Sequence, residues 1–292
     1  TGPARVGWLA APIAGSCVIA MPRFGTTGAL NLIDEMGATI VCGTPAQLAM
    51  LVPKLDLVDT SSVRIWYAVG SVMPPTLGHD LESLTKGIVV SNYGGSDFGG
   101  WAAPDIDAPQ SVRHRTVGRP QGGTEFRIVD DQGKDVPSGQ VGELIGRGPC
   151  SVSGFLGEEG RQAWRNGWFH TGDLASMDDD GNLVIVGRLK EVIVRGGDKV
   201  SPVEIEALLR THSSVAQVAV IGVPDSVLGE RICACIVVAP GQDPPNLESL
   251  RRYLEDQGLA HYKTPERIVV LGSMPIVGDK IDRRALAVIA SV

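Results

Sequence analysis

Three short stretches hold residue types that could do chemistry. In "SNYGGSDFGG", Ser91 to Gly100, a run of glycines follows an apolar segment. Glycines there let backbone approach a ligand closely and leave N–H groups as anion donors. Ser96 offers a hydroxyl to a phosphate. Asp97 offers a carboxylate to a Mg²⁺ that keeps most of its waters and bridges phosphates. The same letters also fit a glycine-rich turn that binds nothing, and the spacing is neither G-x-G-x-x-G nor a Walker A loop.

The second stretch is "FHTGDLASMDDDGNLVIVGRLKEVIVRGG", Phe169 to Gly197. Asp173 reads as a lone carboxylate at a strand start, able to accept two hydrogen bonds from a ribose diol. Arg188 falls at the end of the paired strand, where its rigid fork could reach ribose or phosphate. A partly buried Asp–Arg pair joining two strands is the alternative. The third stretch is "MPIVGDKIDRRAL". Lys280 sits on a loop tip after Pro-x-x-Gly, either as a solvated surface charge or as a mobile point charge brought to an anion. "FGTTGAL" at Phe24 resembles a phosphate loop but lacks the lysine, and reads as a loop capping the next helix.

These residues need elements to position them. "ATIVCG", "VRIWYAVG" and "GIVVSNYGG" are short apolar runs ending in glycine, as in buried strands of a helix-covered sheet. A helix opens at Pro45. This is α/β patterning, with ligands expected beyond the carboxyl ends of the strands. From about Thr124 the texture becomes β-rich. "TEFRIVDDQGKDV" turns at Asp131-Gln132-Gly133, and "LASMDDDGNLVIVG" turns at Asp180-Gly181. A third texture follows. Ser201, Pro202 and Glu204 read as a capping box opening a helix. Strands are expected at 215–223 and 232–238, a helix at 247–257, a strand at 267–271 and a last helix at 282–289. The fold class is therefore α/β with a β-rich layer, followed by a small α+β domain. The division is 1–188, the C-terminal part of a large domain, and 189–292, a small mobile domain.

The 292 residues can bury a substantial core. A net charge of −7 argues against a nucleic-acid or anionic-membrane surface. The five cysteines contain no C-x-x-C, and Cys233 and Cys235 alternate onto one face of a strand, as reduced core cysteines. "VGWLAAPIAGSCVIAMP", Val6 to Pro22, carries no charge, but it is shorter than a membrane span and contains Pro12 and Gly15. It reads as a buried helix and strand.

In order along the chain, these signals resemble the adenylate-forming superfamily: acyl- and aryl-CoA synthetases, aryl-acid–AMP ligases, adenylation domains of peptide synthetases, and luciferases. "YGGSD" at Tyr93 is similar to that family's Y-G-x-T/A-E motif. "FHTGDLASMDDDGNLVIVGRLKEVIVRGGDKVSPVEIE" is similar to its T-G-D to P-x-E-I-E run, and "PIVGDKIDRRAL" to its closing G-K motif. The resemblance implies an adenine pocket lined by Gly70, Ser71, Val72 and Tyr93, with Gly94 and Gly95 beside it. It implies phosphate contact by Ser96, Mg²⁺ held by Asp97, and ribose held by Asp173 and Arg188. Lys190 would be a hinge. Lys280 would bridge the substrate carboxylate and the α-phosphate, and Gly196 and Gly197 would flank a thiol tunnel. Phe98, Gly99, Gly100 and Trp101 follow the nucleotide motif and are expected to border an acid pocket favouring an aryl or alicyclic acid.

The implied partners are a small carboxylic acid, ATP, Mg²⁺, and CoA or a carrier protein, with a cytoplasmic setting and neither nucleic acid nor membrane. Three departures stand out. Ser96 replaces Thr or Ala, Asp97 replaces Glu, and the family's phosphate loop ending in Pro-Lys-Gly is absent. The expectation is therefore the C-terminal part of a longer enzyme. The competing readings are a carrier-loading adenylation domain and a nucleotide-binding fragment without catalysis.

Overall fold

A computed structural model of the chain describes residues 10–152, 154, 163–277 and 280–291. The chain divides into two compact units, Thr1–Thr171 with Ala175–Ile185, and Gly172–Leu174 with Val186–Val292. Each unit has its own apolar cores.

Unit 1 begins with helix α1 (Thr26–Met36), strand β1 (Ile40–Gly43), helix α2 (Pro45–Leu51), β2 (Ile65–Val69), α3 (Pro75–Leu84), β3 (Ile88–Gly95) and β4 (Gly99–Ala103). Helix α4 (Gln110–Arg115) and β5 (Arg119–Pro120) follow. The sheet order is β1-β2-β3-β4-β5. The first three strands are parallel, and β4 and β5 return antiparallel. The start of α2 is well specified. Thr44 Oγ1 accepts from Gln47 N at 3.3 Å, Gln47 Oε1 accepts from Thr44 N at 2.9 Å, and Pro45 occupies the first helical turn. Leu30, Ile33, Leu48, Leu51, Leu81 and Trp66 close the core over the parallel strands.

The β-rich layer has β6 (Glu125–Val129), β7 (Gly142–Arg147), β8 (Trp164–Arg165), β9 (Trp168–Met177) and β10 (Leu183–Arg188). Its order is β10-β9-β7-β6, with β8 on β9. The Asp180-Gly181 turn forms as expected: Asp178 accepts from Asn182 N at 2.7 Å, and Gly181 has φ 80°.

Unit 2 carries β11 (Ile193–Arg195), β12 (Asp198–Val200), α5 (Pro202–Leu209), β13 (Val215–Asp225), β14 (Gly229–Val238), α6 (Leu247–Asp256), β15 (Arg267–Leu271), β16 (Ile276–Val277), β17 (Lys280–Ile281) and α7 (Arg283–Ala290). Its main sheet runs β12-β11-β14-β13, with β15 parallel to β14 on the other side. Leu250 and Leu254 of α6 are four residues apart and share one buried face, as an amphipathic helix requires. Cys233 and Cys235 share a buried face of β14, as the alternation predicts, whereas Cys17 and Cys150 are exposed.

Two expectations fail here. Ser201 is the N-cap of α5, but its hydroxyl does not cap the helix. It donates to Val186 O at 2.6 Å, while Glu204 pairs with Lys263 Nζ at 2.8 Å, so both members of the expected capping box are spent elsewhere. The apolar stretch from Val6 forms no buried helix and strand over its described part. It has one helical turn, Ala11–Ile13, with Ile13 87% exposed and Val18 and Ile19 exposed beyond it. Among the described residues only Met21 of this stretch packs against the first core. Its first residues, 6–9, lie outside the described residues. No helix among the described residues is long and apolar enough to cross a membrane.

Candidate functional site

The carboxyl ends of β2 and β3 lie side by side, because the two strands are parallel with Val69 opposite Asn92. Gly70 follows Val69 and Tyr93 follows Asn92, so these two are the first residues beyond the paired register. Gly70 turns the chain away from β2 with φ 91°, a conformation that favours glycine. Ser71 and Val72 are exposed just beyond it, and Tyr93 is buried.

"SNYGGSDFGG" is not a loop after a strand. It is a β-hairpin: β3 continues through Gly95, Ser96 to Phe98 make the turn, and β4 returns from Gly99. The turn carries Ser96 exposed and Asp97 half-buried, and the Asp97 carbonyl accepts from Val152 N at 2.8 Å. The glycines serve the hairpin. A Cβ on Gly94 would collide with the Gly99 carbonyl oxygen, and one on Gly95 would lie 2.6 Å from the Phe98 ring. Phe98, Gly99 and Trp101 are buried, the two aromatics in the core of the hairpin and β-rich layer. Trp101 is fully buried, with its ring centroid 4.1 Å from Phe98 and 5.4 Å from Phe126. These aromatics fill the space between the hairpin and the β-rich layer, where Gly146 makes room for the indole.

Strand β3 is held from below by a cluster that sequence reasoning missed. Glu82 accepts from Val89 N at 2.7 Å and from Gln110 Nε2 at 3.0 Å, and pairs with the Arg113 guanidinium. Arg113 Nη1 also donates to Val89 O at 3.2 Å. Burial pushes the Glu82 carboxyl up. The hydrogen bonds from Arg113, Val89, His114 and Gln110 outweigh it and hold the group below its ordinary value. No sequence signal reveals this, because Glu82 and Arg113 belong to different helices and meet only through packing.

In unit 2, Asp173 and Arg188 meet. Arg188 Nε lies 2.8 Å from Asp173 Oδ1, with the acid 7% and the base 59% exposed at the side chain. Asp173 is in the middle of β9, not at a strand start, and Arg188 ends β10 as expected. The pair is a strand-to-strand ion pair that keeps an acid buried and an arginine head in solvent. Beside it in sequence, Thr171 of unit 1 donates its hydroxyl to Leu144 O at 2.7 Å, and His170 Nδ1 lies 2.9 Å from Glu143 Oε2.

Lys190 is exposed in a 3-10 turn, Leu189–Glu191. Gly196 and Gly197 form the two-residue turn between β11 and β12, with φ 58° and 96° and Arg195 opposite Asp198. That is the primed turn matching strand twist, which needs left-handed residues. Lys280 is exposed, but it opens strand β17, paired with Val277, rather than sitting on a free loop. Gly278 and Asp279 lie outside the described residues. Among the described residues no cluster of three or more His, Cys, Asp or Glu could hold a metal. Asp97 alone suits a metal that arrives with phosphates and most of its waters.

The fold and these motifs are those of the adenylate-forming superfamily. The chain belongs to that superfamily: the AMP-binding enzyme family model matches residues 4–156, and the AMP-binding enzyme C-terminal domain matches residues 204–279. Triostin synthetase I of Streptomyces triostinicus is 43% identical over 89% of this chain and 49% of its own length. The salicyl-AMP ligase / salicyl-S-ArCP synthetase of Mycobacterium tuberculosis is 32% identical over 96% of this chain and 50% of its own length. Among solved structures, the anthranilate CoA ligase AuaEII in complex with anthranoyl-AMP superposes with a TM-score of 0.85 at 28% identity, covering 94% of this chain and 54% of that one. The chain spans about half the length of the curated relatives it matches.

Proposed function

We propose that this chain takes part in ATP-dependent activation of a carboxylic acid to an acyl-adenylate, followed by transfer of the acyl group to a thiol. The observation that carries the reading is the uninterrupted run from Thr171 to Glu206, in which the buried Asp173 is paired with Arg188. In the first step a substrate carboxylate oxygen attacks the α-phosphorus of ATP, the α–β bridging bond breaks, and pyrophosphate leaves. In the second step a thiolate attacks the acyl carbon and AMP leaves.

The protein's part in the first step is positioning and charge neutralisation. Tyr93 and the Gly70–Val72 backbone take the adenine, and Asp173 accepts from the ribose hydroxyls with Arg188 at its side. Ser96 meets phosphate, and Asp97 would hold a Mg²⁺ that offsets the triphosphate charge. Lys280 is the cation that lets two anions meet. Lys190 is the hinge residue, and Gly196-Gly197 serves the thiol step.

The relatives named for salicyl and anthranoyl groups support an aryl acid as substrate. Phe98 and Trp101 do not carry that choice, because their faces are spent on the core. We take CoA as the thiol acceptor, with a carrier protein as the alternative that the salicyl-S-ArCP synthetase supports. ATP and CoA as co-substrates fit a cytoplasmic setting.

The test is carboxylate-dependent ATP–pyrophosphate exchange by the purified full chain against a panel of aryl, alkyl and amino acids. Exchange highest with benzoate-like acids is the expected result. No exchange with any acid would overturn the reading, and a preference for amino acids would overturn the aryl assignment. Offering CoA and carrier protein in parallel separates the acceptors. Lys280→Ala is expected to slow exchange about 100-fold, the usual effect of removing one charge-stabilising group, while sparing thioester formation from pre-made acyl-AMP. Equal loss in both steps would remove Lys280 from its role.

A further inference from the structure

Glu206 lies within α5 and is only 3% exposed. A carboxylate buried to that degree must be paired and hydrogen-bonded, because an uncompensated buried charge is strongly destabilising. Its Oε1 accepts from Val220 N of β13 at 2.8 Å and from Arg283 Nη2 at 2.7 Å, and its Oε2 from Arg210 Nη2 at 3.1 Å.

Arg283 is the first residue of α7 and has further partners. Nη1 donates to Val220 O at 2.6 Å, and Nε faces Glu191 Oε2 at 3.3 Å. One planar guanidinium therefore joins α7, β13, α5 and the turn Leu189–Glu191. A lysine ammonium could not span these partners, since it is a point charge without the fork.

One of the joined segments carries one of the lysines singled out above, and another begins just after the second. Lys190 is next to Glu191 in the turn. Lys280 is three residues before Arg283. The residue between Ile281 and Arg283 strengthens the link: Asp282 N donates to Pro275 O at 2.9 Å, and Asp282 Oδ1 caps α7 by accepting from Arg284 N and Ala285 N at 3.0 Å each. The hairpin β16–β17 is thus tied to the start of α7, and α7 to the hinge turn.

We propose that Arg283, seated on the buried Glu206, is a positioning residue that locks the Lys190 turn and the Lys280 hairpin into one body. The meaning of the two lysines rests on the adenylation reading above. The brace itself does not. A turn that pivots would then carry Lys280 with it as a lever, and slack at Arg283 would let the turn move without the lysine.

Hydrogen exchange followed by mass spectrometry on the full chain tests this, read on peptides covering 188–195 and 280–286. Arg283→Lys is expected to speed exchange about tenfold in both segments together, as sub-global opening of a linked unit does, while β2 and β3 of unit 1 stay at the unaltered rate. Faster exchange in 280–286 alone would overturn the brace. Glu191→Gln is the milder variant, since Glu191 is partly exposed and its loss leaves Glu206 paired. It is expected to speed exchange about threefold in the turn and, through Arg283, measurably in 280–286. A change confined to the turn would overturn the proposal.

In pyrophosphate exchange, Arg283→Lys is expected to lower kcat with KM for ATP unchanged, a split that mere loosening of unit 2 does not produce. Absence of exchange by the unaltered protein would instead count against the adenylation reading, with the hydrogen-exchange result still deciding the brace.

Discussion

Gly94-Gly95 and Gly196-Gly197 are the same dipeptide in two hairpins, and glycine is there for opposite reasons. At Gly94 and Gly95 neither φ is left-handed, and the neighbours exclude a side chain. A Cβ on Gly94 would meet the Gly99 carbonyl and lie 2.9 Å from the Gly100 Cα, and one on Gly95 would meet the Phe98 ring. At Gly196 and Gly197 the space is open, with the nearest atom to an added Cβ, Leu228 Cδ2, at an ordinary 3.4 Å. There the left-handed φ values disfavour other residues. Packing fixes the first pair and backbone conformation the second. A glycine pair beside a candidate anion site is therefore explained by its hairpin before any ligand is invoked.

The two pairs should respond differently to a methyl group. Gly94→Ala is expected to destabilise unit 1 by about 3 kcal/mol, the upper range for overpacking against backbone that cannot yield. Chemical denaturation followed by tryptophan fluorescence measures it, and an unshifted midpoint would break the comparison at its strongest point.

Next in size is an effect at the turn end of the second hairpin, where Arg195 donates to Glu266 through Nε and Nη2 at 2.9 Å each. The Arg195 guanidinium holds the Glu266 carboxyl below its ordinary value, helped by the Ile232 N–H and opposed by burial. A depressed native pKa gives stability that is fully present above the unfolded value of about 4.3 and lost as pH falls through the lower native value. Glu266→Gln is expected to cost about 1.5 kcal/mol at pH 7 and to flatten the decline of stability below pH 4, read by thermal unfolding at stepped pH. An unaltered acid profile would show that this fork does not stabilise the hairpin.

Gly196→Ala is expected to cost about 1 kcal/mol, the penalty for a Cβ in the left-handed region, and Gly197→Asn about 0.3 kcal/mol, because asparagine tolerates that region. If Gly197→Asn cost as much as Gly94→Ala, the second pair would be governed by packing too. Lys280→Ala is expected to leave stability within about 0.5 kcal/mol of the unaltered protein, as for an exposed side chain. A larger loss of melting temperature would mean that Lys280 holds its own hairpin together.

Much of the fold was legible before the structure. Strands β1, β2 and β3, the helix opening at Pro45 and the turn at Asp180-Gly181 follow from short apolar runs and local turn chemistry. Of the candidate site, the adjacency of the β2 and β3 ends that lead into Gly70 and Tyr93 follows from parallel strands, and the Asp173–Arg188 contact is one of two readings the sequence leaves open. Where local chemistry competed with a distant partner, the reading failed. Ser201 and Glu204 spell a capping box, but Val186 and Lys263 take both side chains. Trp101 follows a nucleotide-like motif, but the aromatic core claims it.

The amino-acid order by itself determined the alternation of strands and helices, the hairpin turns and the family. Each depends on residues a few positions apart, whose spacing fixes backbone geometry. Only the tertiary structure decided that Gly94 is needed by Gly99, that Glu82 and Arg113 brace β3, and that Glu206 and Arg283 bind the Lys190 turn to the start of α7. In each case the partners come from separate segments, and a buried charge or a missing Cβ acquires its reason only when packing brings them within hydrogen-bond or van der Waals distance.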